Sequence, residues 1–161
     1  MISLRTVGED EWELWRSLRR AALADAPDAF GSTLAEWSGS GDTEERWRRR
    51  LRTVPCNVVA SLDEIPVGMV SGTGPVDEVV ELIGMWCAPR ARGAGVGDAL
   101  VAAIVQWARS QGAASLQLDV RVQNPFAIAL YERQGFVDEG LSTAVGVEFP
   151  ERRMRLGLES P

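Results

Sequence analysis

Residues 92–97 read Arg-Gly-Ala-Gly-Val-Gly, with Gly93, Gly95 and Gly97 at alternate positions between a strand-like run and a helix-like one. A helix N-terminus exposes unpaired N–H groups and partial positive charge, so a loop entering one binds phosphate oxygens when its backbone can come close. The glycines remove the side chains that would block that approach, and Arg92 adds a fixed charge with a fork of donors. The implied chemistry is anion binding, and three anions compete. A P-loop for ATP requires Gly-Lys-Ser/Thr, whereas this loop ends Gly97-Asp98-Ala99, which excludes it. A dinucleotide fingerprint requires Gly-x-Gly-x-x-Gly with an acidic residue at a strand tip about 20 positions on. The spacing here is Gly-x-Gly-x-Gly, and Asp119 falls inside an alternating strand. The third anion is the pyrophosphate of coenzyme A.

The chain has no histidine, so Ser-His-Asp and Cys-His catalysis and every histidine metal site are excluded, and no metal is expected. Proton transfer must fall to a carboxylate, a tyrosine, a cysteine, a terminus or water. Tyr131 is the single tyrosine, and Cys56 and Cys87 are the two cysteines, each inside an apolar strand-like run. One pair cannot form a disulfide framework for 161 residues, so reduced thiols are expected.

These residues need elements to hold them. Residues 2–7 suit a short strand; Leu14, Trp15, Leu18 and Ala22 recur at helical spacing until Pro27. Asp42 and Glu45 have capping-box spacing ahead of a second helix that carries Trp47 and Leu51 inward and stops at Pro55. "CNVVASL", "PVGMVSG" and "VVELIGMWC" are strand candidates separated by turns at Asp63-Glu64 and Gly74-Pro75, an antiparallel meander. Leu100, Ile104 and Trp107 share one face of a third helix, with Gly112 as its stop. Leu116, Leu118, Val120 and Val122 alternate with Gln117, Asp119, Arg121 and Gln123, a strand with one buried face. Asn124 and Pro125 open a fourth helix as cap and first residue, and residues 136–141 and 152–158 suit a closing strand pair. A βαβ crossover joins 79–87 to 115–122, so an α/β fold with a mixed sheet, parallel at its middle, is expected.

The formal charge of −6 and pI near 4.8 argue against bulk attraction to nucleic acid or an anionic membrane and mildly favour cationic ligands. No apolar run approaches the roughly 18 residues of a membrane span. A cytoplasmic protein is expected, without nucleic-acid or membrane partners; homodimerisation stays open. The basic run at residues 46–52, "RWRRRLR", reads as a solvated helix face. Neither a repeat nor a linker interrupts 1–161, which reads as one domain.

Arg92-Gly93-Ala94-Gly95-Val96-Gly97 resembles the acetyl-CoA loop of the GNAT superfamily of N-acetyltransferases, Arg/Gln-x-x-Gly-x-Gly/Ala between a strand and a helix. A second block, "NPFAIALYERQGF" at residues 124–136, is similar to the Asn-x-x-Ala-x-x-Leu-Tyr-x-x-x-Gly-Phe signature that ends the acetyl-CoA half of that family. The likeness is specific over residues 79–136 and architectural before them. It implies a GNAT-like α/β (α+β) fold: a mixed, mostly antiparallel central sheet with parallel middle strands, flanked by about four helices. It also implies an acetyl-CoA-dependent transfer of an acetyl group directly to a primary amine of a small molecule or peptide. The rival readings are a non-catalytic acetyl-CoA sensor and a Rossmann-like dinucleotide binder.

By the same resemblance Tyr131 protonates the departing CoA thiolate, and Met85 and Cys87, with Trp86 between them, offer backbone to the pantetheine. Residues 92–97 hold the pyrophosphate, and Asn124 adds a contact with the CoA arm to its capping role. An alkylammonium must lose a proton before it attacks. Glu81, in the strand before the loop, is the first choice of base, acting directly or through water, and Asp119 the second. A covalent route through Cys87 lacks an adjoining base and is set aside. The acceptor side falls to residues 25–41 and 141–150, where Phe30, Ser32, Thr33, Glu36 and Trp37, with Trp86, suit a cation with an apolar body.

Overall fold

A computed structural model describes residues 1–30, 32–142 and 149–158. The described strands are β1 (Ile2–Thr6), β2 (Cys56–Leu62), β3 (Ile65–Gly72), β4 (Val79–Cys87), β5 (Ser115–Arg121), β6 (Val137–Leu141) and β7 (Glu151–Gly157). They form one sheet in the order β1-β2-β3-β4-β5-β7-β6. Among the described residues four α-helices flank it: α1 (Trp12–Asp25), α2 (Glu44–Thr53), α3 (Val96–Ser110) and α4 (Pro125–Arg133). The expected meander is β2-β3-β4, all antiparallel, and α3 is the crossover that makes β4 and β5 parallel. The hairpin turn at Asp63-Glu64 puts both residues at positive φ, 50° and 71°, the twist that two-residue hairpins favour.

Alternation along β3 assigns the two faces. A Cβ on Gly68 would meet Leu100 and Val96 of α3 at 3.0 Å, and one on Gly72 would meet Trp107 at 3.0 Å, so α3 lies directly on that side. Ser71, between them, points the opposite way and accepts a hydrogen bond from Arg50 of α2. The layers follow from the apolar stripes: Trp15, Leu18 and Ala22 of α1 and Trp47 and Leu51 of α2 are buried on one side. Leu100, Val101, Ile104 and Ala108 of α3 are buried on the other. Asn124 caps α4, accepting from the Ala127 N–H at 3.2 Å, with Pro125 in the first turn as expected.

Two features of β4 create the site. Its register against β3 slips, Met69 pairing with Trp86 but Ser71 with Ile83, so β4 carries one extra residue there. Gly84, at φ +64°, takes the left-handed position of that bulge. On its other side β4 pairs with β5 over Val79–Glu81 and Ser115–Gln117, and the pairing stops there. The two parallel strands part beyond Glu81, leaving the backbone of residues 82–87 open towards the gap.

Three expectations need correction. The cap of α2 is Thr43, whose hydroxyl accepts from the Arg46 N–H at 3.3 Å. Asp42 instead receives Arg16 Nε and the buried Trp47 Nε1, both at 2.7 Å, because a buried indole N–H needs an acceptor. Arg121 is buried and Val122 is 37% exposed, the reverse of simple alternation, because β5 ends at Arg121 and the Phe30 and Phe149 carbonyls accept from its guanidinium. The basic run is a solvated face only in part: Arg49 and Arg52 are exposed. Arg48 and Arg52 pair with Glu9, Asp10, Glu44 and Glu45, and Arg50 is drawn in to Asn57 and Ser71 at 3.0 Å each.

Candidate active site

The gap between β4 and β5 is the mouth of a cleft of about 1400 Å³. Gly93, Gly95, Val96 and Gly97 line one end of it, and Glu81 and Asp119 lie across the parted strands. Met85, Trp86, Cys87, Arg92, Asn124, Tyr131 and Phe30 line it as well, so a single space gathers most of the residues chosen from the sequence. Ala94 does not line it.

The loop geometry explains its glycines. Gly93 and Gly95 sit at φ +83° and +90°, and Gly95 is the last residue before α3, whose N-terminus receives no side-chain cap. Gly97 is needed for packing: a Cβ there would lie 3.0 Å from Leu130 of α4 and 3.3 Å from Met85 of β4. The first turn of α3 therefore approaches both neighbours and presents its backbone to the cleft. Its acidic residue, Asp98, is turned aside to Arg133 (3.2 Å) and Gln134 (2.7 Å).

Arg92 is already engaged. Its Nη2 donates to Asp25 at 2.6 Å and its Nε to the Cys87 carbonyl at 3.2 Å. Asp25 also accepts from Trp86 Nε1 at 3.0 Å, and that bond, ahead of Arg92, holds its carboxyl below the usual carboxylate range. Asp25, at the end of α1, thus clasps the loop to β4. Sequence reasoning missed it because the contact spans 67 positions. Phe126, 88% exposed beside the Asn124 cap, also lines the cleft and was missed, although a large apolar residue in the first turn of a helix facing the loop is a readable signal.

Tyr131 is buried, its ring edge-on to Phe136 at 5.7 Å. Burial, then the neighbouring Cys87, pushes its hydroxyl well above the ordinary tyrosine value, so it keeps its proton at any working pH. Burial likewise pushes the half-buried Cys87 thiol up to about 11, so it is a poor nucleophile. Glu81 is half-buried. Burial first, and then Asp119, raises its carboxyl, with Arg153 opposing. Asp119 itself is bound by Arg153 through two hydrogen bonds, 3.0 and 3.1 Å, which makes Glu81 the freer carboxylate.

The acceptor-side choices divide. Phe30 lines the cleft beneath Arg19, whose guanidinium carbon lies 4.6 Å from its ring centroid, and Ser32 lines it too. Glu36 and Trp37 lie outside the lining. The turn at Ala35–Trp37 folds back onto α2, so Trp37 packs on Trp47 at 4.3 Å with Arg46 over its ring at 3.8 Å. Glu36 accepts from the Thr33 hydroxyl at 3.2 Å, and its carbonyl accepts from Arg46. Residues 143–148 of the expected acceptor loop lie outside the described residues. Among the described residues there is no cluster of His, Cys, Asp and Glu able to hold a metal, and no helix is long and apolar enough to cross a membrane.

A family model for the Acetyltransferase (GNAT) family matches residues 12–136. Comparison with curated proteins gives no match. Among solved structures, the GNAT-family acetyltransferase of Streptococcus pneumoniae is 22% identical, with 99% of this chain and 100% of that one covered and a TM-score of 0.78. The PaiA N-acetyltransferase of Thermoplasma acidophilum, solved in complex with coenzyme A, is 16% identical over 98% and 99% of the two chains, with a TM-score of 0.76. YncA of Salmonella typhimurium, solved with its cofactor acetyl-CoA, is 18% identical over 100% and 96%, with a TM-score of 0.74. At these identities the likeness is one of fold. The family match spans the cleft-forming elements from α1 to the end of α4, and with it the chain belongs to the GNAT family of acetyltransferases.

Proposed function

We propose that the protein transfers the acetyl group of acetyl-CoA directly to a primary amine of a small molecule or peptide. The observation that carries this reading is that one cleft joins the uncapped, glycine-lined start of α3, the parted edge of β4 and the buried hydroxyl-bearing Tyr131. The residues fit the donor: unblocked backbone at Gly93 and Gly95 suits a pyrophosphate, and the open strand edge beside Met85 and Cys87 suits an extended pantetheine arm. Asn124, committed to capping α4, flanks the same arm, and Arg92, held by Asp25 through Nη2 and by the Cys87 carbonyl through Nε, keeps Nη1 for phosphate.

Bound acetyl-CoA supplies an activated thioester. Glu81, directly or through one water, takes a proton from the ammonium of the acceptor, aided by a carboxyl raised above its ordinary value. The freed amine nitrogen forms the new N–C bond as the C–S bond breaks, Tyr131 gives its proton to the departing sulfur, and the excess proton on the new amide nitrogen passes, directly or through water, to the Tyr131 phenolate and restores it. Replacing Tyr131 with Phe tests the assignment. Thiol release is expected to slow by about 100-fold or more while CoA binding stays within a few-fold. Equal loss of both would make Tyr131 structural.

A further inference from the structure

The charged side chains lining the cleft largely cancel. Asp25 binds Arg92, Asp98 binds Arg133, Asp119 binds Arg153 and Glu151 lies 3.5 Å from Arg121. Three charges are left without an opposite partner among the described residues: Arg19, Arg50 and Glu81. They share the α1/α2 face of the sheet, because Ser71, which binds Arg50, pairs with Ile83, and Glu81 is two residues from Ile83 on the same side.

Both arginines are held in place. Arg50 donates to Asn57 Oδ1 and Ser71 Oγ at 3.0 Å, and its guanidinium carbon stands 5.5 Å from the centre of the Trp15 ring. Arg19 stacks on Phe30, and its Nη1 lies 3.6 Å from where a Cβ on Gly84 would stand, over the bulge of β4. That Nη1 is shielded from solvent and has no hydrogen-bond partner, an expensive state for a charged donor. Two guanidiniums packed close together without a counter-ion raise the cost further; Arg50 is pulled down to about 10 by burial and by the charge of Arg19. An anion delivered by a ligand removes both penalties. Along the strand, Glu81 lies three residues from Gly84, about 10 Å of backbone, a distance that one small molecule bridges.

Resting on the acetyl-transfer reading above, we infer that the acceptor is an amine that also carries a carboxylate, an amino acid in chemical class. Its ammonium lies towards Glu81 and its carboxylate meets Arg19, with Arg50 behind. It narrows the sequence expectation of a cation with an apolar body, of whose residues Phe30, Ser32 and Trp86 line the cleft and Thr33, Glu36 and Trp37 do not.

Matched pairs test it: free amino acids against their own carboxamides, which keep the amine and lose the acid. The amide's amine is less basic and more often neutral, so intrinsic reactivity runs against the proposal. The expected result is a kcat/KM about 100-fold higher for the acid. In Arg19→Gln the acid loses about 10- to 100-fold and the preference shrinks to within about tenfold. The wild-type ratio decides even if that variant does not fold. Amides used as well as or better than acids would overturn this inference alone. Turnover of neither, with acetyl-CoA bound and other primary amines acetylated, would also overturn this inference alone; no acetylation of any amine in a wider panel would overturn the acetyl-transfer reading and this inference with it.

Discussion

Gly95 and Gly97 stand two positions apart, yet an alanine at each is expected to fail in a different assay. At Gly95, φ is +90° and a Cβ would meet only Ile2, at an ordinary 3.7 Å, on the side away from the cleft. The cost of Gly95→Ala is therefore conformational, about 1–2 kcal/mol for a side chain held left-handed. For a chain of this length that lowers Tm by roughly 2–8 °C, and Gly95→Asn is expected to recover part of it because Asn tolerates that region. At Gly97 the backbone is helical, so alanine gains about 1 kcal/mol of helix propensity. Its Cβ, however, crowds Leu130 at 3.0 Å and Met85 at 3.3 Å. Both neighbours line the cleft, so displacing them into it narrows the space for the cofactor. Gly97→Ala is expected to keep or slightly raise Tm and to weaken acetyl-CoA binding by about tenfold, a loss of ~1.4 kcal/mol. Thermal denaturation and titration calorimetry on the two variants separate the effects. An unchanged Tm in Gly95→Ala, or undiminished acetyl-CoA affinity in Gly97→Ala, would refute the reasoning.

Glu81→Gln addresses the base: because the Glu81 carboxyl is raised, wild-type kcat/KM should fall as pH drops through a value above the ordinary glutamate pKa of about 4.3. The variant should lose about 100-fold at neutral pH and regain rate as pH rises and free amine accumulates, whereas an unchanged profile retires the role. Asp42→Ala removes the acceptor of the buried Trp47 N–H and of Arg16, with an expected cost of about 1–3 kcal/mol by urea unfolding at pH 7. The folded-state Asp42 carboxyl is depressed, chiefly by Arg16, so its contribution is present above the unfolded value of about 3.9 and is lost as pH falls below it. The gap between wild type and variant should narrow in acid; a constant gap would contradict the assignment.

Much of the architecture was legible because it rests on periodicity and local chemistry. The alternation of residues 116–120, the apolar stripes of the helices and the Asn124-Pro125 start are short-range signals, and the structure repeats them. The anion loop was legible for the same reason. What stayed hidden depends on contacts distant in sequence. The bulge at Gly84 arises from register against β3, and the Asp25 clasp joins α1 to the loop. Arg121 turns inward to carbonyls of two remote segments. Arg19 and Arg50 left a trace that went unread: Arg19 follows Trp15 by four and Arg50 follows Trp47 by three, so each charge lies along a buried helix stripe. Trp37 misled because an aromatic in an irregular stretch suits a pocket as well as it suits a neighbouring helix.

The most direct test of the central claim is to incubate the purified protein with acetyl-CoA and a panel of amines, following free thiol and the mass of the amine together. The expected result is one thiol released for each amine that gains one acetyl group. Binding of acetyl-CoA without amine-dependent thiol release would contradict it, as would no acetyl-CoA binding alongside tight binding of NAD.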